Sequence, residues 1–414
     1  MDEYTEMLYN EAATLSPDDD DYEERLLEVA CSFRSFDEAL TRFICENGFE
    51  GSADNTDEKL VFLKTKFKAA GVPVPREINE WFTDGKTIKR ETAFQLCFAF
   101  GLNVEQTNEF FSKVYLERSF DCHSIREAVY YYCMRNGLSY GKAVELIARL
   151  PEQTKSKVDT DKEVLYTGTI VEFINSVKDE SELIEFIEQH IGQFGYNNVT
   201  AKEHIQHLWN EIYCYDGLAY KEGLILEKSF TYIRQEGNSD DDYLTVPQKR
   251  SSVWKLLAQI LGLDRRQAEE FKTNRSIKPL LENNILLPPL AEASFPDRDG
   301  IEKIIRGQHV SHERIRKLLI LLEFYTYWAK RIVERNDIGF IADKDAPARC
   351  VDQINSYLLE AGYSELYAGN PYDWIFLWAV NDADPLAAFR EYMREIFAAR
   401  NDQPDEKAFS DKSK

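Results

Sequence analysis

The sequence contains no hydrophobic run that approaches the roughly eighteen apolar residues of a membrane-spanning helix. Its start, MDEYTEMLYN, is acidic and lacks the basic segment that opens a secretory signal peptide. Hydrophobic residues nevertheless make up 43% of the 414 residues, which is enough to bury sizeable cores in two or three domains. We therefore predict a cytoplasmic protein that has no membrane partner.

Histidine is scarce, and the motifs of common catalytic and phosphate-binding sites are missing: GxxxxGK[ST], GxGxxG, GxSxG and HExxH are all absent. Among the 6 histidines, His204 with His207 and His309 with His312 have the i, i+3 spacing that brings two imidazoles to one metal. Neither pair has a third ligand at a fixed spacing. We therefore expect no cofactor, no metal and no enzymatic activity; the alternative is a metal-dependent hydrolase assembled from scattered residues.

The 7 cysteines are odd in number and include no CxxC pair, which argues against a disulfide framework. Most of them lie in apolar helical patterns, and none belongs to a motif that links it to a histidine. We expect buried, unreactive thiols in a reducing cytoplasm.

Positive charge is in the minority, with 50 Lys and Arg against 73 Asp and Glu and a net charge of −23. Such a chain as a whole repels a nucleic acid. Three basic islands interrupt this pattern. Residues 61–90 carry 7 cations and 3 acids (+4), residues 248–278 carry 8 and 3 (+5), and residues 298–335 carry 9 and 5 (+4). These islands are where nucleic-acid contact is expected.

Residues 73–114, PVPREINEWFTDGKTIKRETAFQLCFAFGLNVEQTNEFFSKV, predict three short helices over 75–84, 91–100 and 104–114. Pro75 suits a first helical residue, while Gly85 and Gly101 suit helix ends. Two further helices are predicted over 36–49 and 57–70. The chain as a whole predicts an all-α, multi-helical fold.

A short helix, a Gly-Lys turn and a hydrophobic helix ending in Phe-Gly-Leu resemble the back half of a Cro/repressor-type helix-turn-helix domain. The resemblance covers roughly residues 36–114, and residues 250–335 less well. The arrangement WF-x-x-GK…RETAFQLCFAFGL is also similar to uncharacterised helical proteins of Gram-positive bacteria and their mobile elements. The resemblance implies a bacterial or phage protein that binds double-stranded DNA, often as a homodimer.

In the first module, the predicted reading helix at 75–84 would bury Ile78 and Trp81 or Phe82 and leave Arg76 and Asn79 facing out. Arg76 suits guanine and Asn79 suits adenine, because their forked polar groups match those base edges. The expected phosphate contacts are Lys86, Lys89 and Arg90. Since Glu77 and Glu80 oppose a polyanion, the alternative is a packing or dimerisation module that has lost DNA contact.

A second module is suggested by two echoes of the first, KRSSVWKLLAQILGLDRRQAEEF from residue 249 and IEKIIRGQHVSHERIRKLLILL over 301–322. Its reading helix would lie at 301–307. The expected DNA contacts are Arg306, Gln308, His309, His312, Arg314 and Arg316. This module is the more basic one and therefore the better candidate for nucleic acid.

We divide the chain into five regions: an acidic helical arm (1–34), a helix-turn-helix-like domain with its extension (35–151), an acidic helical middle region (152–247), a second helix-turn-helix-like domain (248–400) and a polar tail (401–414). Trp374 and Trp378 stand four residues apart on one helix face. They predict a packing ridge, which would be a partner-binding patch if it is exposed.

Two functions follow from these observations. The first is a DNA-binding transcription regulator whose acidic helical regions contact a protein partner. The second is a non-enzymatic helical adaptor or inhibitor that acts through protein contacts, for instance as a nucleic-acid mimic in host–phage conflict.

Overall fold

The computed structural model describes residues 3–83, 87–151, 167–194, 199–235, 252–263, 268, 298–306, 308, 310–335 and 343–397. Over these ranges it contains 18 α-helices and no β-strand, so the all-α prediction is confirmed. No helix within the same ranges is both long and apolar enough to cross a membrane.

The helices before residue 190 are α1 (Glu3–Thr14), α2 (Tyr22–Ser32), α3 (Phe36–Glu46), α4 (Thr56–Ala69), α5 (Arg90–Ala99), α6 (Val104–Phe110), α7 (Ile125–Arg135), α8 (Tyr140–Arg149), α9 (Thr167–Ser176) and α10 (Glu180–Gln189). Those that follow are α11 (Val199–Tyr213), α12 (Leu218–Gln235), α13 (Val253–Leu261), α14 (Arg298–Ile305), α15 (His312–Arg335), α16 (Ala346–Glu360), α17 (Pro371–Ala379) and α18 (Pro385–Phe397). A π-helical turn, Phe111–Tyr115, extends α6.

Two hydrophobic cores divide these helices into two units. Side chains from Leu40 to Phe194 form one core, which belongs to the inserted unit, α3–α10. Side chains of α1, α2 and α11–α18 form the other, which belongs to the outer unit. The chain therefore begins in the outer unit, builds the inserted unit, and then returns to the outer unit.

This division differs from the predicted regions. The acidic arm at 1–34 is not a separate arm, because Leu8, Ala12 and Val29 are buried in the outer core. The acidic middle region is not one body either: Ile170 belongs to the inserted core and Ile205 to the outer core. The apolar face of each helix, and not the net charge of the segment around it, determines the core in which that helix packs.

The helix α1 covers the predicted tryptophan ridge. Trp374 and Trp378 stack on one face of α17 with ring centroids 6.1 Å apart, so the packing ridge is confirmed. Their indole N–H groups donate to the carbonyls of Leu8 (3.0 Å) and Leu15 (2.8 Å). Each tryptophan is only 1% exposed. The prediction of an exposed partner-binding patch is therefore wrong, since the chain's own first helix occupies it.

The predicted reading helix at 75–84 is absent from its described part. Residues 75–83 contain one 3-10 turn, Ile78–Glu80. Ile78 and Trp81 are buried as predicted, and Trp81 packs against Phe67 with ring centroids 5.9 Å apart. Their three-residue spacing matches the period of a 3-10 turn, so a single turn already buries the two apolar side chains.

The structure contains helix ends at Gly101 and at its predicted counterpart, Gly262. Gly101 follows α5 with φ of 64°, and the N–H of Leu102 donates to the carbonyl of Cys97 (3.0 Å). Gly262 follows α13 with φ of 69°, and Leu263 donates to Ala258 (2.9 Å) in the same way. This left-handed helix stop favours glycine.

The other predicted echo, at 301–322, extends less far. Helix α15 runs for 24 residues, Leu322 lies inside it, and it has no counterpart of the helix end at Gly101. The turn residues Gly85 and Gly307 lie outside the described residues. The continuous apolar face of α15, which spans the outer core, explains why the helix continues.

Candidate functional site

Three of the predicted DNA-contacting residues of the first module lie on its surface. Arg76 and Asn79 are exposed, and the Asn79 Oδ1 accepts a hydrogen bond from the Lys64 Nζ (2.7 Å). Lys89 is also exposed, with its Nζ 3.5 Å from a Glu77 carboxylate oxygen. Lys86 lies outside the described residues. The surface around the 3-10 turn therefore carries both signs of charge.

Arg90 does not fulfil its predicted role as a phosphate contact. Its guanidinium forms two hydrogen bonds to the Glu127 carboxylate (2.8 and 2.7 Å) and also donates to the carbonyls of Arg118 and Ser119. The side chain is 21% exposed. Because these internal acceptors occupy the planar fork, Arg90 fastens the segment after α6 onto α7, and the prediction is wrong.

The second predicted module is divided between surface and interior. Arg306 is exposed and forms an ion pair with Glu302 (3.3 Å) one turn earlier, and Gln308 is exposed. Arg314 is half-buried, and His309 lies outside the described residues. Only Arg306 and Gln308 among the described members of this set are therefore open to a ligand.

Arg316 and His312 serve internal contacts, so their predicted DNA contacts are wrong. Arg316 is 5% exposed and binds the Asp373 carboxylate through two hydrogen bonds of 2.6 and 2.7 Å. His312 places its Nε2 3.3 Å from the Asp121 Oδ2, across the boundary between the units. Both side chains therefore bind carboxylates of the same chain and stabilise its fold.

The boundary between the units is strongly polar. The phenol of Tyr363 donates to the His312 carbonyl (3.1 Å), and the Arg118 guanidinium lies 5.3 Å from the centre of the Tyr363 ring. Burial by itself would raise the pKa of Asp121, but the hydrogen bond from His312 and the charge of Arg118 lower it below its usual range. The charged form of Asp121 is therefore the one that docks the units.

Glu117, at the same boundary, has the opposite behaviour. Burial, followed by repulsion from Glu313, raises the pKa of Glu117 to about 7. The residue before it, Leu116, has a left-handed backbone with φ of 57°. The segment that joins the π-helical turn to α7 thus combines a left-handed leucine with a half-buried carboxyl group whose charged form is disfavoured by Glu313 of the outer unit.

An open cavity of about 350 Å³ lies between α3 and α6; we call it the α3–α6 groove. Its apolar floor contains Phe43 and Phe110, whose rings meet edge to face with centroids 5.0 Å apart. The lining residues are Arg34, Ala39, Arg42, Phe43, Glu46, Asn47, Leu102, Gln106, Glu109, Phe110, Lys113, Val114 and Tyr367. A cavity of this size falls within the range of ligand and side-chain binding sites.

The two walls of the groove have the same construction. Arg42 pairs with Glu46 along α3 (2.8 Å), and Lys113 pairs with Glu109 along α6 and its π-helical turn. Arg34 and Tyr367 come from the outer unit, where Arg34 stacks 3.6 Å from the ring centre of Tyr4 and Tyr367 contacts Thr5 (3.3 Å). The groove is therefore complete only when both units are in place.

The groove residues Arg42 and Lys113 are not among the site residues predicted from the sequence. A signal was present, since residues 39, 42, 43 and 46 and residues 106, 109, 110 and 113 share an i, i+3, i+4, i+7 spacing that places each set on one helix face. Which two faces meet depends on tertiary packing, which the spacing does not encode.

The two histidines with metal-compatible spacing, His204 and His207, do not point to a common ligand. The Nε2 of His204 lies 3.2 Å from a Glu360 oxygen, while His207 is exposed. Within the described ranges, no cluster of three or more His, Cys, Asp or Glu residues is arranged to hold a metal.

Four of the seven cysteines, Cys97, Cys122, Cys133 and Cys350, are buried, while the other three are exposed. Burial raises the pKa of the Cys133 thiol to about 12, which keeps it protonated and unreactive. The expectation of buried thiols therefore holds for four cysteines and fails for Cys31, Cys45 and Cys214.

No family model, curated protein or solved structure matches this chain.

Proposed function

We propose that this protein is a non-enzymatic helical adaptor that binds a partner protein in the α3–α6 groove. The observation that carries the proposal is the construction of that groove from both units. Residues of α3, α6 and the π-helical turn line it, and Arg34 and Tyr367 of the outer unit complete the lining. A partially apolar cleft with polar walls, at the boundary of two units, is a common location for a binding site.

The fate of the predicted DNA contacts supports an adaptor over a regulator. The segment expected to read bases contains a single 3-10 turn, which is too short to place several side chains along a major groove. Arg90, His312 and Arg316 bind carboxylates of the same chain. The chain carries a net charge of −23, so its surface as a whole repels a polyanion such as DNA.

The experiment that tests the adaptor is affinity capture from a nuclease-treated extract of the native cells. Ala39 lines the groove and is half-buried, so Ala39→Trp fills the cavity whatever the charge of the partner. Val144→Trp is the matched control, because Val144 is 44% exposed and does not line the groove. We expect a protein that wild type and Val144→Trp retain and that Ala39→Trp loses, with unchanged melting temperatures. Retention by all three contradicts the proposal.

DNA-binding regulation is the second candidate, and the observation that favours it is the joint exposure of Arg76, Asn79 and Lys89. A salt-dependent gel shift on DNA near the protein's own gene tests it. The regulator predicts a shift at low salt that Arg76→Ala and Lys89→Ala weaken. No shift at low salt excludes it.

A further inference from the structure

The inserted unit meets the outer unit through polar side chains. Among the described residues, the buried apolar side chains form two separate clusters, one in each unit, and neither extends across the boundary. The contacts at the boundary include the pair of Asp121 with His312 and the ring of Tyr363 beside the Arg118 guanidinium. Units that meet through a polar interface move relative to each other more readily than units that share a core. Docking of the two units is therefore the part of this fold that a change of charge can alter.

A small cavity of about 20 Å³ lies in this boundary; we call it the boundary cavity. Its lining includes three carboxyl groups, from Glu117 of the inserted unit and from Glu365 and Asp373 of the outer unit. Two arginines also line it: Arg316 binds Asp373 (2.6 and 2.7 Å), and Arg118 donates to a backbone carbonyl of its own segment (3.2 Å). A cavity of this size has room for about one water molecule, which is too little to hydrate a carboxylate fully.

The other cations near Glu117 lie closer to other carboxylates or on the far side of the boundary. Arg90 lies 3.8 Å from Glu117 but only 2.7 Å from Glu127. Lys317 of the outer unit is 4% exposed, and its Nζ lies 4.0 Å from Glu313. Glu117 is therefore a carboxylate in excess of the cations that surround it.

Glu313, in the first turn of α15, opposes Glu117 from the outer unit. Burial is the main cause that raises the pKa of Glu117 to about 7, and repulsion from Glu313 is the next, while Arg90 and Lys317 act against them. Within the described part of the chain, no group donates a hydrogen bond to the buried Oε2 of Glu313. Arg90 and Glu127 belong to the inserted unit and remain beside Glu117 when the units separate. Separation therefore removes the burial and the repulsion from Glu313, which returns the pKa of Glu117 toward its ordinary value.

Three more titratable groups at the boundary leave this direction unchanged. Burial raises the pKa of the Tyr115 phenol, which therefore stays neutral near pH 7. Asp121 stays charged, because its pKa is below its usual range. His312 attracts the Asp121 carboxylate more strongly when its imidazole is protonated. Acid therefore favours docking through His312 as well as through Glu117.

From this arrangement we propose that a proton on the Glu117 carboxyl controls the docking of the inserted unit on the outer unit. With the proton in place, a neutral carboxyl group lies at the boundary and the units stay docked. Loss of the proton to solvent places a second negative charge opposite Glu313, which weakens the docked state. The docked state binds more protons than the separated state between the ordinary pKa of a glutamate and about 7, so docking weakens as the pH rises through this window and changes little above it.

Tyr367 connects this control to the α3–α6 groove, because it lines both the groove and the boundary cavity. Its amide donates to the Asp373 Oδ2 (3.0 Å) and its phenol contacts Thr5 (3.3 Å), so it stays with the outer unit. Arg34 likewise stacks on Tyr4 of that unit. Separation of the units therefore withdraws Tyr367 and Arg34 and leaves the groove incomplete. This consequence for partner binding rests on the proposed adaptor function, whereas the control of docking does not.

The exposed cysteines provide the labels for a test. Three cysteines are exposed and four are buried, so Cys31→Ser leaves Cys45 in the inserted unit and Cys214 in the outer unit as the sites for a donor and an acceptor dye. Energy transfer between the dyes in the full chain reports separation of the units, and circular dichroism of the same samples reports loss of helix. Both signals are followed through urea titrations at about pH 5.5 and about pH 8.5, and linear extrapolation gives the docking constant.

We expect the loss of energy transfer to precede the loss of helix. The docking constant of the labelled parent should be at least about tenfold smaller at the higher pH. The full effect of the displaced pKa is not expected, because the Glu117 side chain is 38% exposed and solvent screens its charge.

Glu117→Gln in the labelled parent imitates the protonated carboxyl group at every pH. It should raise the docking constant at least about tenfold at about pH 8.5 and change it little at about pH 5.5. Glu145→Gln is the matched control, since it removes a carboxylate of the same unit that is 56% exposed and pairs with Lys142. The control should leave the docking constant unchanged at both pH values.

Coincident loss of energy transfer and of helix at both pH values would show that the units do not separate as bodies, and it would overturn the inference. A gain from Glu117→Gln that is absent at about pH 8.5, or equally large at about pH 5.5, also overturns it, because a proton on Glu117 then does not control docking. These measurements contain no partner protein. Their failure is therefore distinct from failure of the affinity capture that tests the adaptor.

Discussion

The carboxylate of Asp121 lies 3.3 Å from the imidazole of His312, and this contact joins the inserted unit to the outer unit. Asp121 is 1% exposed, and the amide of His123 also donates to it (3.2 Å). His312, a predicted DNA contact, therefore joins two parts of the same protein. The buried Asp121 carboxylate has a direct consequence for stability.

We expect Asp121→Asn to reduce the free energy of unfolding by about 3 kcal/mol at neutral pH, because it removes the negative partner of the buried Arg118 guanidinium, which lies 3.8 Å from the Asp121 carboxylate. Urea unfolding measures this change. Glu145→Gln is the control, since Glu145 is 56% exposed and pairs with Lys142 at the surface. The control should cost less than about 1 kcal/mol. Equal losses in the two variants would show that Asp121 contributes no more than a surface charge.

The contribution of Asp121 to stability should respond to acid in a defined direction. The pKa of Asp121 is lowered in the fold, so its stabilisation is present above the pKa of the unfolded carboxyl and is lost as the pH falls through the folded value. The difference between wild type and Asp121→Asn should persist from about pH 7 to about pH 5 and decline only in stronger acid. A difference that vanishes already near pH 6 contradicts this assignment.

For Glu323 we expect the opposite dependence of stability on pH. It is 1% exposed, and burial raises its pKa to about 7 despite a hydrogen bond from Gln353. Between the unfolded pKa and about 7 the folded state binds more protons, so wild-type stability falls as the pH rises through this window. Glu323→Gln should therefore stabilise the protein by about 2 kcal/mol near pH 8 and change little near pH 5.

Denaturant unfolding at the two pH values measures the effect of Glu323→Gln. The amide keeps an oxygen that accepts from Gln353 while it removes the buried charge. A gain that is the same at both pH values would indicate a packing effect and would exclude titration of Glu323 as its source.

Gly262 and Gly101 provide a matched pair of helix ends. Both have left-handed backbones, but a Cβ on Gly262 would lie 2.4 Å from the Cβ of Arg390, whereas a Cβ on Gly101 meets nothing within 4 Å. Arg390 is held by an ion pair with the buried Glu222 (2.8 Å) and cannot easily move away. Gly101→Ala should cost about 1 kcal/mol from backbone strain alone.

Gly262→Ala should cost at least about 2 kcal/mol more than Gly101→Ala, because overpacking adds to the same backbone strain. Chemical denaturation of both variants gives the comparison. Similar losses at the two sites would mean that Arg390 shifts at little cost.

Trp374 offers a test of how α1 is attached. Trp374→Phe removes the indole donor to the Leu8 carbonyl and should cost about 1–2 kcal/mol. Limited proteolysis should then cleave within residues 3–32 faster than in wild type, while Leu359→Ala, at a side chain that is 55% exposed, should leave the rate unchanged. Uniform acceleration of cleavage along the chain would show global destabilisation in place of release of α1.

Much of the secondary structure could be predicted from local signals. The periodicity of 91–100 places α5 within one residue of its observed bounds, Arg90–Ala99, and Ser124 caps α7 by accepting from the Glu127 amide. Gly101 and Gly262 mark true helix ends. These features depend on neighbours within about four residues, which the sequence displays directly.

The candidate site could not be predicted in the same way. Arg90, His312 and Arg316 have the composition of a nucleic-acid contact, and their acceptors Glu127, Asp121 and Asp373 lie far away in the sequence. A local pattern records that a cation is present and not which carboxylate it meets. The spacing of 39–46 and 106–113 likewise gives two helix faces without showing that they face each other.

The sequence by itself therefore determined the all-α class, the main helix stops and the apolar face on which Trp374 and Trp378 stand. Only the tertiary structure decided that α1 covers that face, that an inserted unit interrupts the outer core, and that the groove draws Arg34 and Tyr367 from across the boundary. The physical reason is the difference in sequence separation between the residues that interact. Helix formation is governed by bonds and side chains a turn apart, whereas burial and ion pairing join residues that chain folding brings together from hundreds of positions away.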